Sequence, residues 1–134
     1  MPYLHTDVYD YGLNVFVSTA NAGNLRMALC AGNPTSYSEV SNLYPTGKRI
    51  SDLVTFSSGE VTLGNVTGGR AANFPAKTGT AAASVTGADL TVALVDVASG
   101  AERLLAVLEE TTDQPITSGN TINFPAFSIR ITMP

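Results

Sequence analysis

Tryptophan is absent from this 134-residue chain, and cysteine and histidine occur once each. One cysteine excludes an intramolecular disulfide. With His5 and Cys30 as the entire stock of soft ligands, a zinc site lacks its donor set. A single histidine near the amino terminus also leaves no base for a serine or cysteine nucleophile elsewhere in the chain. Charge is scarce as well. Asp, Glu, Lys and Arg make up 13% of residues, about half of the usual share of roughly 25%, so the surface must be built largely from neutral side chains. Long apolar runs are missing too. No segment approaches the roughly 20 apolar residues of a membrane-spanning helix, and the first residues lack the basic flank and apolar stretch of a secretory signal. The expectation is a protein made in a reducing cytoplasm, with no membrane partner.

What is present points to a compact β domain. Apolar residues make up 44% and charge is low, the opposite of a disordered composition, which has high charge and few apolar residues. One domain is expected, with residues 1–6 as a free amino-terminal arm and 7–134 as the folded unit. Thr6 to about Ser18 reads as one helix: Thr6 caps it, Asp7 and Asp10 sit in its first turn, and Gly12 lies inside it at a cost of about 1 kcal/mol. Asn21-Ala22-Gly23-Asn24 ends it.

Strand signals follow. Leu25 to Ala31 is a short apolar run bounded by turn residues, and Leu90 to Val97 reads as a central strand. Leu90, Val92 and Leu94 mark one face of it, and Ala93, Val95 and Val97 the other. Arg49–Phe56, Glu60–Leu63, Arg70–Lys77 and Thr80–Thr86 are weaker strand signals. Glu102–Glu109 has good helix propensity, but the Ser99-Gly100 turn before it favours a strand. In Thr121–Met133 the apolar parity shifts at Pro125, which reads as a bulge. The pattern predicts a mainly β fold: a single-domain antiparallel β-sandwich or jelly-roll-like barrel of about seven or eight strands with one amino-terminal helix.

Chemistry is sparse. Asp7 and Asp10 share a helix face, but capping accounts for them without a cation. Cys30 lies in an apolar run and reads as a small buried hydrophobe. Gly64–Gly69 lacks the lysine and hydroxyl of a phosphate loop and reads as a turn. The seven basic residues are scattered and the net charge is −4, which argues against nucleic acid. No catalytic, cofactor or metal residues are expected, and the chain reads as a non-enzyme. The tyrosines concentrate in the first third, where they suit either partner contact or closure of the sandwich. Pro2, Tyr3, Leu4, Tyr9, Tyr37 and Tyr44 are the expected contact residues.

Several short clusters occur in a characteristic order. They are Gly12-Leu13-Asn14, Cys30 followed by Pro34-Thr35-x-Tyr37-x-Glu39, Gly69-Arg70 with Pro75, and Thr117 to Thr121 leading to Phe124-Pro125-Ala126-Phe127. This order resembles a family of small structural proteins of tailed-bacteriophage virions, over nearly the whole chain after Asp7. Relatives often carry a Thr-His pair near the position of Ala88 to Leu94, and this chain has none. The resemblance implies a virion component without enzymatic activity, most readily a capsid decoration or cement protein bound to the major capsid protein. A dimer or trimer would follow from symmetric closure. A collar, neck or tail component is the alternative, and a carbohydrate-binding sandwich on a fibre is a third, weakened by the absence of tryptophan.

Overall fold

The computed structural model describes residues 3–4, 12–87, 89–109 and 115–132. The fold is mainly β, with several antiparallel sheets and a helix near the amino terminus, in keeping with a single-domain β-sandwich. Ten strands and two helices are described. The strands are β1 (Tyr3–Leu4), β2 (Leu25–Ala31), β3 (Val54–Thr55), β4 (Thr62–Val66) and β5 (Gly69–Phe74), then β6 (Lys77–Thr80), β7 (Leu90–Asp96), β8 (Arg103–Glu109), β9 (Thr121–Phe124) and β10 (Phe127–Thr132). The helices are α1 (Asn14–Asn21) and α2 (Tyr37–Ser41).

One layer is a five-stranded sheet in the order β1-β8-β7-β2-β3. Its central strands are apolar on both faces because both faces are covered. Leu25, Met27, Leu29, Leu90, Val92 and Leu94 enter the main core, and Ala28, Cys30, Ala93, Val95, Leu104 and Val107 enter a second, smaller one. The two-faced reading of Leu90–Val97 therefore holds, and all of β7 is buried. The second core is roofed by α2, through Val40, and by Tyr37, Leu53 and Val97.

Glu102–Glu109 resolves as a strand over Arg103–Glu109, and its helical look has a local cause. The β7–β8 register slips between Leu94, opposite Ala106, and Val95, opposite Leu104. Leu105 is the extra residue, and both Leu105 and Ala106 face the main core. Two successive inward side chains erase the period-two alternation that marks a strand.

The opposite layer is a three-stranded sheet, β10-β5-β4, continued by a two-stranded ribbon of β6 and β9. The expected bulge at Pro125 is instead a corner between sheets. β10 pairs with β5, whereas β9 pairs with β6. The tetrapeptide Asn-Phe-Pro-Ala occurs twice, at 73–76 and 123–126. The registers Phe74 to Phe127 and Lys77 to Phe124 set Pro75-Ala76 antiparallel to Ala126-Pro125. Proline has no N–H to donate to a ladder. Two prolines at mirrored places therefore stop both strands together, and each chain passes from one sheet to the other. Counting β5–β6 and β9–β10 as one bent strand each turns the ten strands into eight, against the seven or eight that the sequence pattern suggests.

The corner is filled by aromatic packing. Phe74 meets Phe16 of α1 and Phe56 edge-on at 5.5 and 5.6 Å, and stacks on Phe127 at 4.5 Å. Helix α1 differs from the expected Thr6–Ser18. Thr6, Asp7, Asp10 and the helical positions up to Tyr11 lie outside the described residues. Gly12 is not inside a helix: its φ of 72° places it in the turn before Asn14. The helix end falls where expected. Gly23, at φ 78°, sends its N–H to Ala20 O, and Asn24 N–H bonds Thr19 O. This paired closure satisfies the last carbonyls and needs a residue tolerant of the left-handed region.

Candidate contact surface

The loop after β2 is held by a cluster of charged side chains. Ser36 caps α2 by accepting from Glu39 N–H. The Glu39 carboxylate reaches back to Thr35, accepting from its N–H at 3.1 Å and its hydroxyl at 2.8 Å. It also pairs with Lys48 at 3.2 Å. The Thr35 bonds, with help from Lys48, hold the Glu39 carboxyl below its ordinary range. Arg49 donates to three carbonyls, those of Val40 (2.9 Å), Ser51 (2.7 Å) and Ser41 (3.3 Å). The Pro34-Thr35-x-Tyr37-x-Glu39 motif and the Lys48-Arg49 pair form one clasp that fastens α2 over the second core.

Beyond the clasp, the chain from Leu43 to Gly47 forms a tight loop closed by Gly47 N–H to Leu43 O and by Tyr44 N–H to Arg49 O. The Tyr44–Pro45 peptide is cis. A Cβ on Gly47 would meet the Asn42 backbone, so only glycine fits. Leu43 and Tyr44 stand at the apex, 40% and 39% exposed. Large apolar groups held out on a closed loop are the kind of anchor that a protein partner buries.

The expected contact residues separate accordingly. Tyr44 is exposed at this apex. Tyr37 is half-buried against the second core, where it packs rather than protrudes. Tyr3 and Leu4 do not stand free as an arm: they form β1, opposite Val107 and Ala106 of β8. Pro2, Tyr9 and His5 lie outside the described residues. Leu43 escapes a search keyed to tyrosines, and only its place beside Tyr44 and Pro45 signals it.

A groove of about 480 Å³ lies at the proline corner, lined by Ala76, Lys77, Thr78, Asn123, Phe124 and Pro125. Its one ionic group is engaged: Lys77 donates to both carboxylate oxygens of Glu60 at 2.7 Å and lies 5.7 Å over the Phe56 ring. The Lys77 bonds keep the Glu60 carboxyl below its usual range. A second cavity of about 280 Å³ lies between β9 and the β2–β7 side of the large sheet.

Among the described residues, neither cavity brings together a nucleophile and a base. Cys30 is buried, and loss of hydration pushes its thiol up to about 12, so it is not a thiolate near neutral pH. Among the described residues no three His, Cys, Asp or Glu side chains cluster to hold a metal ion. Gly64 to Gly69 is the β4–β5 hairpin, with its strands running through Val66 and from Gly69. No described helix is long and apolar enough to cross a membrane. The chain matches no protein-family model, no curated protein and no solved structure.

Proposed function

We propose that this chain is a structural component of a tailed-bacteriophage virion, a decoration protein that binds the outside of the head through neutral contacts. The observation that carries this reading is the engagement of basic side chains within the fold. Arg26 bonds Gly23 O, Lys48 pairs with Glu39, and Arg49 clasps three carbonyls. Arg70 bonds Asn65, Lys77 pairs with Glu60 and Arg103 pairs with Asp96. Among the described residues, Arg130 alone of the basic side chains makes no such bond. With Lys48, Lys77 and Arg103 each paired to a carboxylate and a net charge of −4, the chain concentrates no basic field for phosphates, while Leu43 and Tyr44 stand exposed as apolar anchors. The order of the turn motifs supports the virion assignment.

The test is the ratio of this protein to the major capsid protein in purified particles. A near-equal ratio places it on the shell. A ratio of a few per cent moves it to the collar or tail, and absence from particles refutes the virion reading. The contact is tested at the apex loop. Leu43→Ala with Tyr44→Ala is expected to weaken binding to assembled heads at least tenfold without lowering thermal stability. Deletion of residues 1–6 is a poorer test, because it removes the β1 edge of the large sheet together with any arm.

A further inference from the structure

The edges of the two layers are unequally protected. In the large sheet the outermost strands, β1 and β3, are each two residues long. In the facing sheet the outermost strands are β4, with five residues, and β10, with six. Among the described residues nothing pairs with the outer edge of either. Sheet edges are usually blunted by shortness, proline, lysine, bulges or a covering segment. β10 is long, holds no proline or lysine and has no bulge in its pairing with β5. It reads Phe-Ser-Ile-Arg-Ile-Thr, pairs with β5 in unbroken register and carries one charge. Ile131, on this strand, is the most exposed large apolar side chain among the described residues, at 44%.

We propose that β10 is a self-pairing edge, and that two copies of this chain join through it to make one continuous six-stranded antiparallel sheet. The sequence of the strand selects the register. In a two-fold antiparallel pair, residues directly opposite share a face. Centring the pair on Arg130 sets two guanidinium groups against each other, which is repulsive. Centring it on Ser128 runs the pairing into Pro125 and Ala126. Centring it on Ile129 leaves every position matched. Ile129 meets its own copy, Phe127 meets Ile131 of the second copy, and Ser128 meets Arg130 of the second copy. The inner face of the joint is then wholly apolar and covers both Ile131 side chains. The outer face puts each free arginine opposite a hydroxyl. An edge of six residues is a small interface for an isolated dimer, so the dimer is weak in solution and gains from many copies on one surface. The inference does not rest on the virion reading, since it concerns the free protein.

The test is a charge exchange at Ser128, which is exposed on the outer face. Both variants remove the Ser128 hydroxyl that donates to Asn73 Oδ1, and the melting temperature of each reads the cost to the fold separately from the dimer. Sedimentation velocity of the full chain over a wide concentration range, at low salt, gives the dimer affinity. Ser128→Glu sets a carboxylate opposite Arg130 of the second copy at two symmetry-related places and is expected to tighten the dimer on the order of tenfold. Ser128→Lys sets like charges there and is expected to weaken it by a similar factor. The difference should shrink in 0.5 M salt, on the order of the screening expected there. A protein that stays monomeric at all concentrations overturns the proposal. So does a dimer on which the two variants act equally, since that dimer uses another surface.

Discussion

Gly79 is the tightest point in the joint between the two layers, and replacing it by alanine should be costly. It sits in β6 at φ/ψ values that need no glycine, so the cost is steric. A Cβ there would lie 2.6 Å from Asp52 Oδ1, 2.9 Å from Val54 Cγ2 and 3.2 Å from Phe124 Cε2. All three neighbours are held. Phe124 is buried in the main core and Val54 belongs to β3. Asp52 Oδ1 accepts from Thr80 N–H at 3.0 Å, while Asp52 N–H bonds Thr80 O at 2.9 Å. Overpacking of this kind costs about 1–3 kcal/mol, and disturbing the Asp52 bond adds about 0.5–1.5 kcal/mol. The lower chain entropy of alanine in the unfolded state returns about 0.4–1 kcal/mol. The balance is a loss of about 0.5–4 kcal/mol, centred a little above 2 kcal/mol, or a fall in Tm of roughly 10 °C at the centre of that range for a domain of this size. Gly64→Ala is the control. Its Cβ would meet only the Asn73 amide nitrogen, at 3.1 Å, on an exposed side chain that can turn away. It should shift stability by less than about 0.5 kcal/mol. Thermal denaturation followed by circular dichroism reads both. Gly79→Ala melting within 2 °C of the parent would refute the close approach, on the order of one-fifth of the expected shift.

Two further outcomes are expected. Arg49→Gln removes donors from the Val40, Ser41 and Ser51 carbonyls and should cost about 2–3 kcal/mol in urea denaturation; Arg49→Lys, a single point donor, should recover only part of it, and full recovery would show that the fork geometry is unimportant. Cys30 should resist alkylation in the folded protein at pH 7–9, in the window where an exposed thiol of ordinary pKa reacts, and should react only as the chain unfolds. Its pKa is raised by burial to about 12, so the folded state keeps the proton that the unfolded chain releases near its ordinary value. Stability from this source is complete below that value and is lost as pH rises through it. Cys30→Ala should flatten that alkaline slope, and rapid labelling of the native protein would contradict the burial.

The strands most visible in the sequence were those with two buried faces. Leu25–Ala31 and Leu90–Asp96 are largely apolar, broken only by Arg26, Thr91 and the terminal Asp96, because each lies between two cores, and such runs are hard to mistake in a chain rich in turn residues. The helix end at Asn21–Asn24 was equally clear, since Gly23 has a specific conformational role. Pairing was harder to read. Leu104, Leu105 and Ala106 hide a bulge that only the partner strand reveals. The two Asn-Phe-Pro-Ala segments are 50 positions apart, a repeat that carries no period, and their meaning as a corner comes from being opposite one another. Of the contact surface, Tyr44 was legible as an exposed loop aromatic, but the sequence did not distinguish it from Tyr37, which α2 turns toward the second core. The role of Lys48-Arg49 is hidden for a similar reason. A basic pair in a polar stretch gives no sign of the carbonyls that a short helix places beside it.

The layering also narrows where a neighbour can bind. In most sandwiches the outer face of a sheet is open to a partner. Here the large sheet is covered on its outer face by the segment from Pro34 to Leu53, clasped by Arg49 and Glu39. A covering segment needs its own apolar underside, and Tyr37, Val40 and Leu53 supply it. Its upper side then becomes surface, and Leu43 and Tyr44 emerge from it. On the outer face of the facing sheet Thr62, Asn73, Ser128 and Arg130 are exposed, with Ala71 buried among them. That face is polar and nearly uncharged, so it offers hydrogen bonds but little apolar area. Large apolar side chains reach the surface of the described residues at four positions only, Leu43, Tyr44, Leu63 and Ile131. Two lie on the apex loop and two on the outermost strands of the facing sheet. A partner that buries apolar surface must therefore approach along the loop or along a sheet edge. Substitutions on the outer face of the facing sheet, such as Thr62→Ala, should leave association with assembled particles unchanged, whereas changes at Tyr44 should not.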